Sequence, residues 1–293
     1  MSTTDFDGPV SPLTGLAIAI LAVSTSAILV RWSAAPSLVK AFYRVLFTGF
    51  LLAPIAIVRH RDALAVISRR DLVAASGAGV ALAAHFASWF ESLNHTTVAA
   101  SVTLVQAQPL FVAVGAWAFL DERVGRRTTV GIAVALGGMV LMSVSDLFTP
   151  SGAPRPLLGN GLAVVGAVAA AAYVLTGRSV RSRVALVPYV VVVYSVCAVV
   201  ILALTLVNGD PLTGYPAREW LLFLGMAVGP GLFGHTVINW SLAHLESSVV
   251  SVSLLGEPVG STILALFLLG EIPTLPTILG GTVVLFGIYI TSS

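Results

Sequence analysis

Long apolar runs alternate with short polar gaps along the whole chain. A helix that crosses a bilayer needs about 20 apolar residues, and ten runs come close to this length. One helix across the third and fourth runs would be far too long for a bilayer. We therefore place a break between them at the polar sequence ESLNHTTV. We predict ten membrane-spanning helices, at 13–31, 38–58, 71–93, 98–120, 128–145, 157–177, 187–207, 219–243, 248–270 and 274–291.

The composition also indicates an all-α integral membrane protein. Hydrophobic residues make up 57% of the chain and charged residues only 10%, whereas a soluble domain carries about 25% charged residues. The Lys and Arg residues lie in short gaps between apolar runs and do not form the basic patch of a nucleic-acid-binding protein. We therefore expect a lipid bilayer around the chain and no nucleic-acid partner.

Several kinds of reactive site are excluded by the residues present. The single cysteine, Cys197, permits neither an intrachain disulfide nor a cysteine cluster for a metal. The single lysine, Lys40, follows Val39, whereas a P-loop needs Gly-Lys before Ser or Thr. Neither H-E-x-x-H nor G-x-S-x-G occurs. We expect no enzyme activity, no metal or cofactor, and no ATPase partner.

Arginine placement predicts the orientation in the membrane. With a cytoplasmic N-terminus, ten Lys and Arg residues fall in cytoplasmic gaps and four fall outside, while Arg44 lies within a span. Residues 1–12 are acidic without a basic segment, so we expect a cytoplasmic tail and not a signal peptide. Both termini are therefore predicted to face the cytoplasm, with the protein in the inner (plasma) membrane.

The second half of the chain repeats the first. Shifting residues 92–141 by 149 positions gives 12 identities in 50 without a gap, including Pro109 with Pro258 and Glu122 with Glu271. Each half holds five spans, an odd number, so the halves enter the membrane from opposite sides. This predicts two inverted repeats, a plan that secondary transporters use with a midplane substrate site. The predicted parts are the tail 1–12, the repeats 13–147 and 157–293, and the linker 148–156.

A family resemblance follows from these residues. AASVTLVQAQPLFVAVGAWAFLDERVGRRTTVGIAVALGGMVLM and SSVVSVSLLGEPVGSTILALFLLGEIPTLPTILGGTVVLFGIYI both resemble the signature of EamA-type members of the drug/metabolite transporter superfamily, and FYRVLF resembles the arginine-bearing second span. The resemblance implies ten helices in inverted repeats and export of small metabolites, amino acids or drugs. In overall character the chain is most similar to bacterial aromatic amino acid exporters. Asp121 departs from the usual glycine before the helix-ending Glu122.

The repeated glutamates and the unrepeated arginines suggest different roles. Glu122 and Glu271 end corresponding helices, so we expect both to serve the repeat fold. Arg123, Arg126 and Arg127 follow only the first, on the predicted cytoplasmic side, and are interpreted as a topology signal.

Prolines and one acid mark the predicted centre of the membrane. Pro109 and Pro258 lack an N–H, so each is expected to kink its span, either to line and gate a pathway or as static packing. Glu257 is costly at the midplane and marks a functional site, for substrate, water or protons; the alternative is a protonated acid bonded between helices. Its repeat mate is Gln108, which is polar but does not titrate.

Other polar and aromatic residues are candidates for the pathway. Arg44 could hold a substrate carboxylate, extend outward to the interface, or pair with Glu91. His85 and Trp89 lie four apart on the third span, and Asn239 lies on the eighth, where Gly229, Pro230 and Gly231 allow bending. Tyr173 is a weaker candidate. Simple packing or lipid contact is the alternative for the aromatic residues.

Three function classes remain to be compared. The first is a secondary transporter that exports small metabolites, amino acids among them, by alternating access, with protons as a possible coupling ion. The second is an exporter of other drugs or metabolites in the same fold. The third is a channel, a receptor or an intramembrane enzyme, none of which requires an inverted repeat.

Overall fold

A computed structural model of the chain describes residues 11–59, 67–120, 125–145, 153–181, 183–238 and 253–292. Within these ranges the ordered elements are helices joined by short turns, and no strand occurs. The helices are α1 Pro12–Ser24, α2 Ser26–Trp32, α3 Ser37–Arg59, α4 Arg69–Ser92, α5 Val98–Val105, α6 Gln108–Leu120, α7 Arg126–Ser145, α8 Pro156–Arg181, α9 Leu186–Asn208, α10 Ala217–Met226, the π-helix Ala227–Thr236, α11 Gly256–Leu269 and α12 Leu275–Ser292.

The ten predicted spans correspond to these helices. Three spans consist of two consecutive pieces each: α1 with α2, α5 with α6, and α10 with the π-helix. Six stretches in the described ranges are long and apolar enough to cross a membrane, at 12–32, 37–54, 69–92, 98–115, 156–181 and 187–208, and α11 and α12 are shorter apolar helices. The chain is therefore an all-helical, multi-pass membrane protein.

Local sequence signals end and begin these helices. α4 ends at Ser92 and α5 begins at Val98, so the predicted break between the third and fourth spans is confirmed. Thr97 caps α5 by accepting a hydrogen bond from the Ala100 N–H at 3.3 Å. α9 and α11 each end at a glycine with positive φ, Gly209 at 75° and Gly270 at 68°, which a residue with a Cβ adopts only at a cost.

The fifth and tenth spans, α7 and α12, pack closely through glycines. A Cβ at Gly138 would lie 2.7 Å from the Gly280 carbonyl oxygen, and a Cβ at Gly287 would lie 2.6 Å from the Gly131 carbonyl oxygen. Glycine thus lets the two backbones approach each other, as small residues do in membrane helix pairs. The two contacts are reciprocal, because residues 131 and 280, and likewise 138 and 287, differ by the repeat shift of 149.

The remaining helices surround a common interior. α4 packs on α8, where Gly166 approaches Trp89, and on α9, where Gly79 approaches the Val193 carbonyl. α9 also packs on α3, and α1 packs on the π-helix and on α11. Large apolar side chains such as Val207 and Phe267 remain highly exposed on the outside, as expected of a surface that lipid covers.

One polar network joins four spans at one end of the bundle. The Glu271 carboxylate pairs with Arg31 and accepts a hydrogen bond from the Val98 N–H at 2.8 Å. Arg31 also donates to the Leu93 carbonyl at 2.6 Å. Glu271 therefore ties the end of the ninth span to the first, third and fourth spans, which agrees with a role in the fold. Glu122, Asp121 and Arg123 lie outside the described residues.

We expect Gly138→Ala to destabilise the protein, because the added methyl group meets backbone atoms of α12 that cannot turn aside. Overpacking of this kind costs about 1–3 kcal/mol. The matched control is Gly137→Ala, one residue away, where a Cβ would meet nothing within 4 Å. Thermal unfolding of both purified variants in the same detergent measures the difference; equal melting temperatures would contradict the α7–α12 packing.

Candidate functional site

Arg44 lies in the interior of the bundle with its side chain buried. Only 2% of the residue is exposed, and its Nη1 donates a hydrogen bond to the Ser26 hydroxyl at 2.8 Å. The expectation that Arg44 extends to the interface is therefore wrong for this structure. Its pairing with Glu91 is also wrong, because Glu91 instead bonds to its neighbours His95 at 3.0 Å and Asn94 at 3.1 Å.

Aromatic side chains of α4 surround the Arg44 guanidinium. Its Cζ lies 4.6 Å from the ring centroid of Phe86, 5.6 Å from that of Phe90 and 5.9 Å from that of Trp89. We call these four residues the Arg44 cluster. Ring faces attract a cation, most strongly where water is excluded, so they offset part of the cost of burying this charge. The register of α4 against α3 therefore depends on Arg44.

A small cavity borders the Arg44 cluster. Its lining consists of Arg44, Val45, Thr48, Phe86, Tyr194 and Gly231, and it has about the size of a water molecule. The lining comes from α3, α4, α9 and the π-helix. Four spans thus meet at one polar group in an apolar interior, but the cavity must widen before it can hold a solute larger than water.

Glu257 is buried in the first turn of α11. It is 8% exposed, and its carboxylate accepts a hydrogen bond from the Gln106 amide. Gln106 is the residue that ends α5, at the interruption between α5 and α6. The bond thus joins the interruptions of the fourth and ninth spans. The charges of Glu257 and Arg44 are close enough to interact.

Both predicted prolines lie beside interruptions of the helical hydrogen-bond pattern. α5 ends before Gln106, and Pro109 is the second residue of α6. Leu255 forms a turn, and Pro258 follows in the first turn of α11. The missing N–H of each proline leaves the carbonyl four residues earlier, that of Val105 or Leu254, without its helical donor, directly before the interruption. The structure thus shows an interruption beside each proline, while a kink and its part in gating stay predictions.

The first span contributes three small hydroxyl residues where it is interrupted. Ser24 donates to the Ile20 carbonyl at 2.8 Å and lies 3.5 Å from the Glu257 carbonyl oxygen. Ser261 of α11 donates to the Ser24 carbonyl at 3.1 Å. Since Ser26 bonds to Arg44, the segment from Ser24 to Ser26 contacts both α3 and α11.

Pro230 and its neighbouring glycines lie in the π-helix, and the bending of the eighth span stays a prediction. π-helical turns are rare and frequent at functional sites. Here Pro230 lacks a donor, and the glycines weaken the α-helical alternative. A Cβ at Gly231 would lie 2.5 Å from the Thr48 hydroxyl, whereas one at Gly229 would be 3.8 Å from the Thr25 hydroxyl. Gly231 thus allows the π-helix to approach α3 beside Arg44.

His85 and Trp89 lie together, as their spacing predicts. Their rings stack with centroids 5.7 Å apart, and the His85 Nδ1 lies 2.9 Å from the Gly166 carbonyl oxygen of α8. That bond assigns the proton of neutral His85 to Nδ1. The Trp89 Nε1, by contrast, is buried and has no hydrogen-bond partner among the described residues.

The remaining candidates do not meet at the Arg44 cluster. Tyr173 stacks on Tyr189, with ring centroids 6.5 Å apart, between α8 and α9. Gln108 is half-buried at the start of α6, and the Glu257 carboxylate accepts its hydrogen bond from Gln106, two residues earlier. Asn239 lies outside the described residues.

Several interior polar residues were missed by sequence reasoning. Gln106 interrupts an apolar run two residues before Gln108, and the three hydroxyl residues around Thr25 interrupt another; both signals were visible. The interior positions of Lys40 and Glu219 were harder to infer from the sequence. Lys40 is 3% exposed and donates to the Val30 carbonyl at 3.1 Å, while Glu219 accepts from the Ser33 hydroxyl and from the Ala34 N–H at 3.0 Å. Within the described ranges, no group of three or more His, Cys, Asp and Glu side chains is placed to hold a metal ion.

Known proteins resemble the chain in sequence and in fold. The profile of the EamA-like transporter family matches twice, at residues 11–144 and 157–293. An uncharacterized transporter of Archaeoglobus fulgidus is 30% identical over 268 residues, covering 85% of this chain and 92% of the relative. A second one from this organism is 25% identical over 258 residues, covering 86% of each chain. A solved crystal structure has the same fold, with a TM-score of 0.63, 20% identity and 96% of both chains covered.

The two family matches extend over nearly the whole chain, and six of its described helical stretches are long and apolar enough to cross a membrane. This chain belongs to the EamA-like transporter family and is a membrane transporter.

Proposed function

We propose that the chain is a secondary transporter that exports neutral amino acids, aromatic ones among them, across the inner membrane by alternating access. The observation that carries this proposal is the buried Arg44 cluster, because it offers a cation and apolar ring faces beside interrupted helices. A charged group inside a membrane protein marks a substrate or ion pathway. An amino acid carries a carboxylate for the cation and an apolar side chain for the rings.

Two inverted repeats, at 13–147 and 157–293, support alternating access. The family profile matches once in each half, and the reciprocal glycine contacts of α7 and α12 relate corresponding residues. The contacts of other spans correspond in the same way: the third span packs on the sixth, and the eighth packs on the first. Such symmetry lets one arrangement of the halves exchange with its mirror arrangement across the membrane.

The proposed orientation places both termini in the cytoplasm. The Asp71–Arg183 ion pair, at 2.7 Å, then lies at the cytoplasmic end, which the sequence makes rich in arginine. The network of Arg31, Glu271 and Val98 lies at the outer end. Arg155 is one of the few cations at that outer end. Its backbone N–H donates to the His95 carbonyl at 3.2 Å.

Glu257 is proposed to couple transport to protons. It is buried, bonds to the Gln106 side chain and interacts with the Arg44 charge, so a change in its protonation alters the balance of charge around the cavity. Interruptions in the first, fourth and ninth spans surround it, which lets a local change move helix halves. An exporter of other drugs or metabolites would use the same parts with different solutes.

Purified protein in proteoliposomes should transport neutral amino acids with saturation, and unlabelled amino acid on the far side should accelerate uptake of the labelled one. A channel would instead show flux that neither saturates nor responds to exchange. Radiolabelled Phe, Trp, Tyr and Leu are the first solutes to measure. Saturable exchange of a different solute class, with none for these four, would favour the alternative exporter.

Glu257→Gln should fold but transport about tenfold more slowly, which corresponds to a barrier higher by ~1.4 kcal/mol. The amide keeps an acceptor for Gln106 but exchanges no proton, so the pH dependence of transport should flatten. Glu91→Gln is the matched control, since Glu91 bonds only to its neighbours His95 and Asn94 in the described structure. A wild-type rate and pH profile in Glu257→Gln would refute the coupling role.

Gly231→Ala should impair transport more than it lowers expression, because its Cβ would displace the Thr48 hydroxyl beside Arg44. Thr48 donates to the Arg44 carbonyl at 2.7 Å and contacts the Ala227 carbonyl at 3.3 Å, so the shift reaches both α3 and the π-helix. In the control Gly225→Ala, the nearest atom to the Cβ would be 3.7 Å away. Initial uptake rates, normalised to inserted protein, test the difference; equal rates would contradict it.

A further inference from the structure

We infer that this site binds the carboxylate of its substrate through two donors, the Arg44 guanidinium and the Trp89 indole N–H. The inference rests on the proposed transport function and adds the group that is recognised and the atoms that recognise it. Trp89 then acts as a hydrogen-bond donor in addition to providing a ring surface.

Arg44 has more hydrogen-bond donors than it uses in the described structure. A guanidinium has five N–H donors, and in the described structure Arg44 has one hydrogen bond, to Ser26. The described carboxylates make no ion pair with it. Burying a cation without an ion-pair partner is expensive, so we expect the site to accept an anionic group from the substrate.

Trp89 supplies the second proposed donor. Trp89 is only 4% exposed, and its buried Nε1 has no hydrogen-bond partner among the described residues. Buried donors are almost always paired, so this one needs an acceptor. The Arg44 Cζ lies 5.9 Å from the Trp89 ring centroid, so the two side chains are neighbours, and the inference is that one substrate carboxylate spans both donors.

Glu257 is the internal acid that could compete with a substrate carboxylate for Arg44. Glu257 interacts with the Arg44 charge, but its carboxylate bonds to Gln106 and its backbone is held against Ser24. Arg44 therefore keeps its remaining donors for the substrate. The rest of a monocarboxylate would contact the rings of Phe86 and Tyr194, which line the adjoining cavity.

Selectivity for acid over ester tests the inference directly. The probes are L-phenylalanine and its methyl ester, which differ at the carboxylate and keep the amine and the ring. Affinities from isothermal titration of the purified full-length protein should favour the acid by about tenfold or more in the wild type. The ratio should approach one in Arg44→Gln, which loses the cation.

Trp89→Phe isolates the indole N–H, because the variant keeps an aromatic ring against Arg44. Its acid-to-ester ratio should fall to a value between those of the wild type and Arg44→Gln, because the cation remains and an N–H bonds a carboxylate more strongly than an ester carbonyl. The matched control is Trp220→Phe, since the Trp220 Nε1 already donates to the Tyr215 carbonyl at 3.1 Å. The control should keep the wild-type ratio. Because Trp89→Phe changes no charge, it tests the inference even if Arg44→Gln fails to fold.

Two results would overturn the inference. One is equal affinity for acid and ester in the wild type, or binding of neither. The other is a wild-type ratio in Trp89→Phe. Saturable exchange of amino acids in proteoliposomes together with either result would leave the proposed transport function in place and remove only the carboxylate contact. Absence of saturable exchange together with a tenfold preference for the acid would keep the carboxylate contact and contradict the proposed transport function.

Discussion

A guanidinium cannot lie inside a membrane protein unless its surroundings compensate its charge, and much of this structure depends on meeting that requirement for Arg44. The second span carries Arg44, the first supplies Ser26, and the third supplies Phe86, Trp89 and Phe90. Each contact works only in one register of the helices. The positions of three spans are therefore linked through one side chain, and the compensation still leaves donors for an anion.

The structure separates a closely packed region from an interrupted one. α7 and α12 meet backbone to backbone at their glycines, an arrangement that tolerates little movement. Around Arg44 and Glu257, by contrast, the helical hydrogen-bond pattern is interrupted at Thr25, at Gln106 and at Leu255, and the eighth span becomes a π-helix. A cavity that now has the size of a water molecule needs such adaptable backbone if it is to widen for a solute.

Hydropathy predicted the helices well because lipid leaves a spanning chain few alternatives. Backbone groups in a bilayer must pair within the helix, so each apolar run of sufficient length becomes one. Proline chemistry predicted the interruptions near Pro109 and Pro258 for a similarly local reason. The spacing of His85 and Trp89 predicted their shared face, because residues four apart are neighbours on a helix.

Contacts between spans were harder to predict, since they depend on rotation and register that no single run contains. The repeat alignment identifies Gln108 as the residue equivalent to Glu257, but it gives no contact partner; the interruption between α5 and α6 places Gln106 at that carboxylate. The sequence left Arg44 with three alternatives, a substrate carboxylate, the interface or Glu91, and packing of α3 against α4 encloses it among aromatic rings.

The sequence by itself determined the class of protein, the helical runs, the break between the third and fourth spans and the prolines beside two interruptions, because these follow from local hydropathy and backbone chemistry. Only the tertiary structure decided which groups meet. It brought Ser26 and three rings to Arg44, gave Gln106 to Glu257 and left the Trp89 indole N–H without a partner in the described part of the chain. The physical reason is that a polar side chain in an apolar interior takes the partner that helix packing brings within hydrogen-bonding distance.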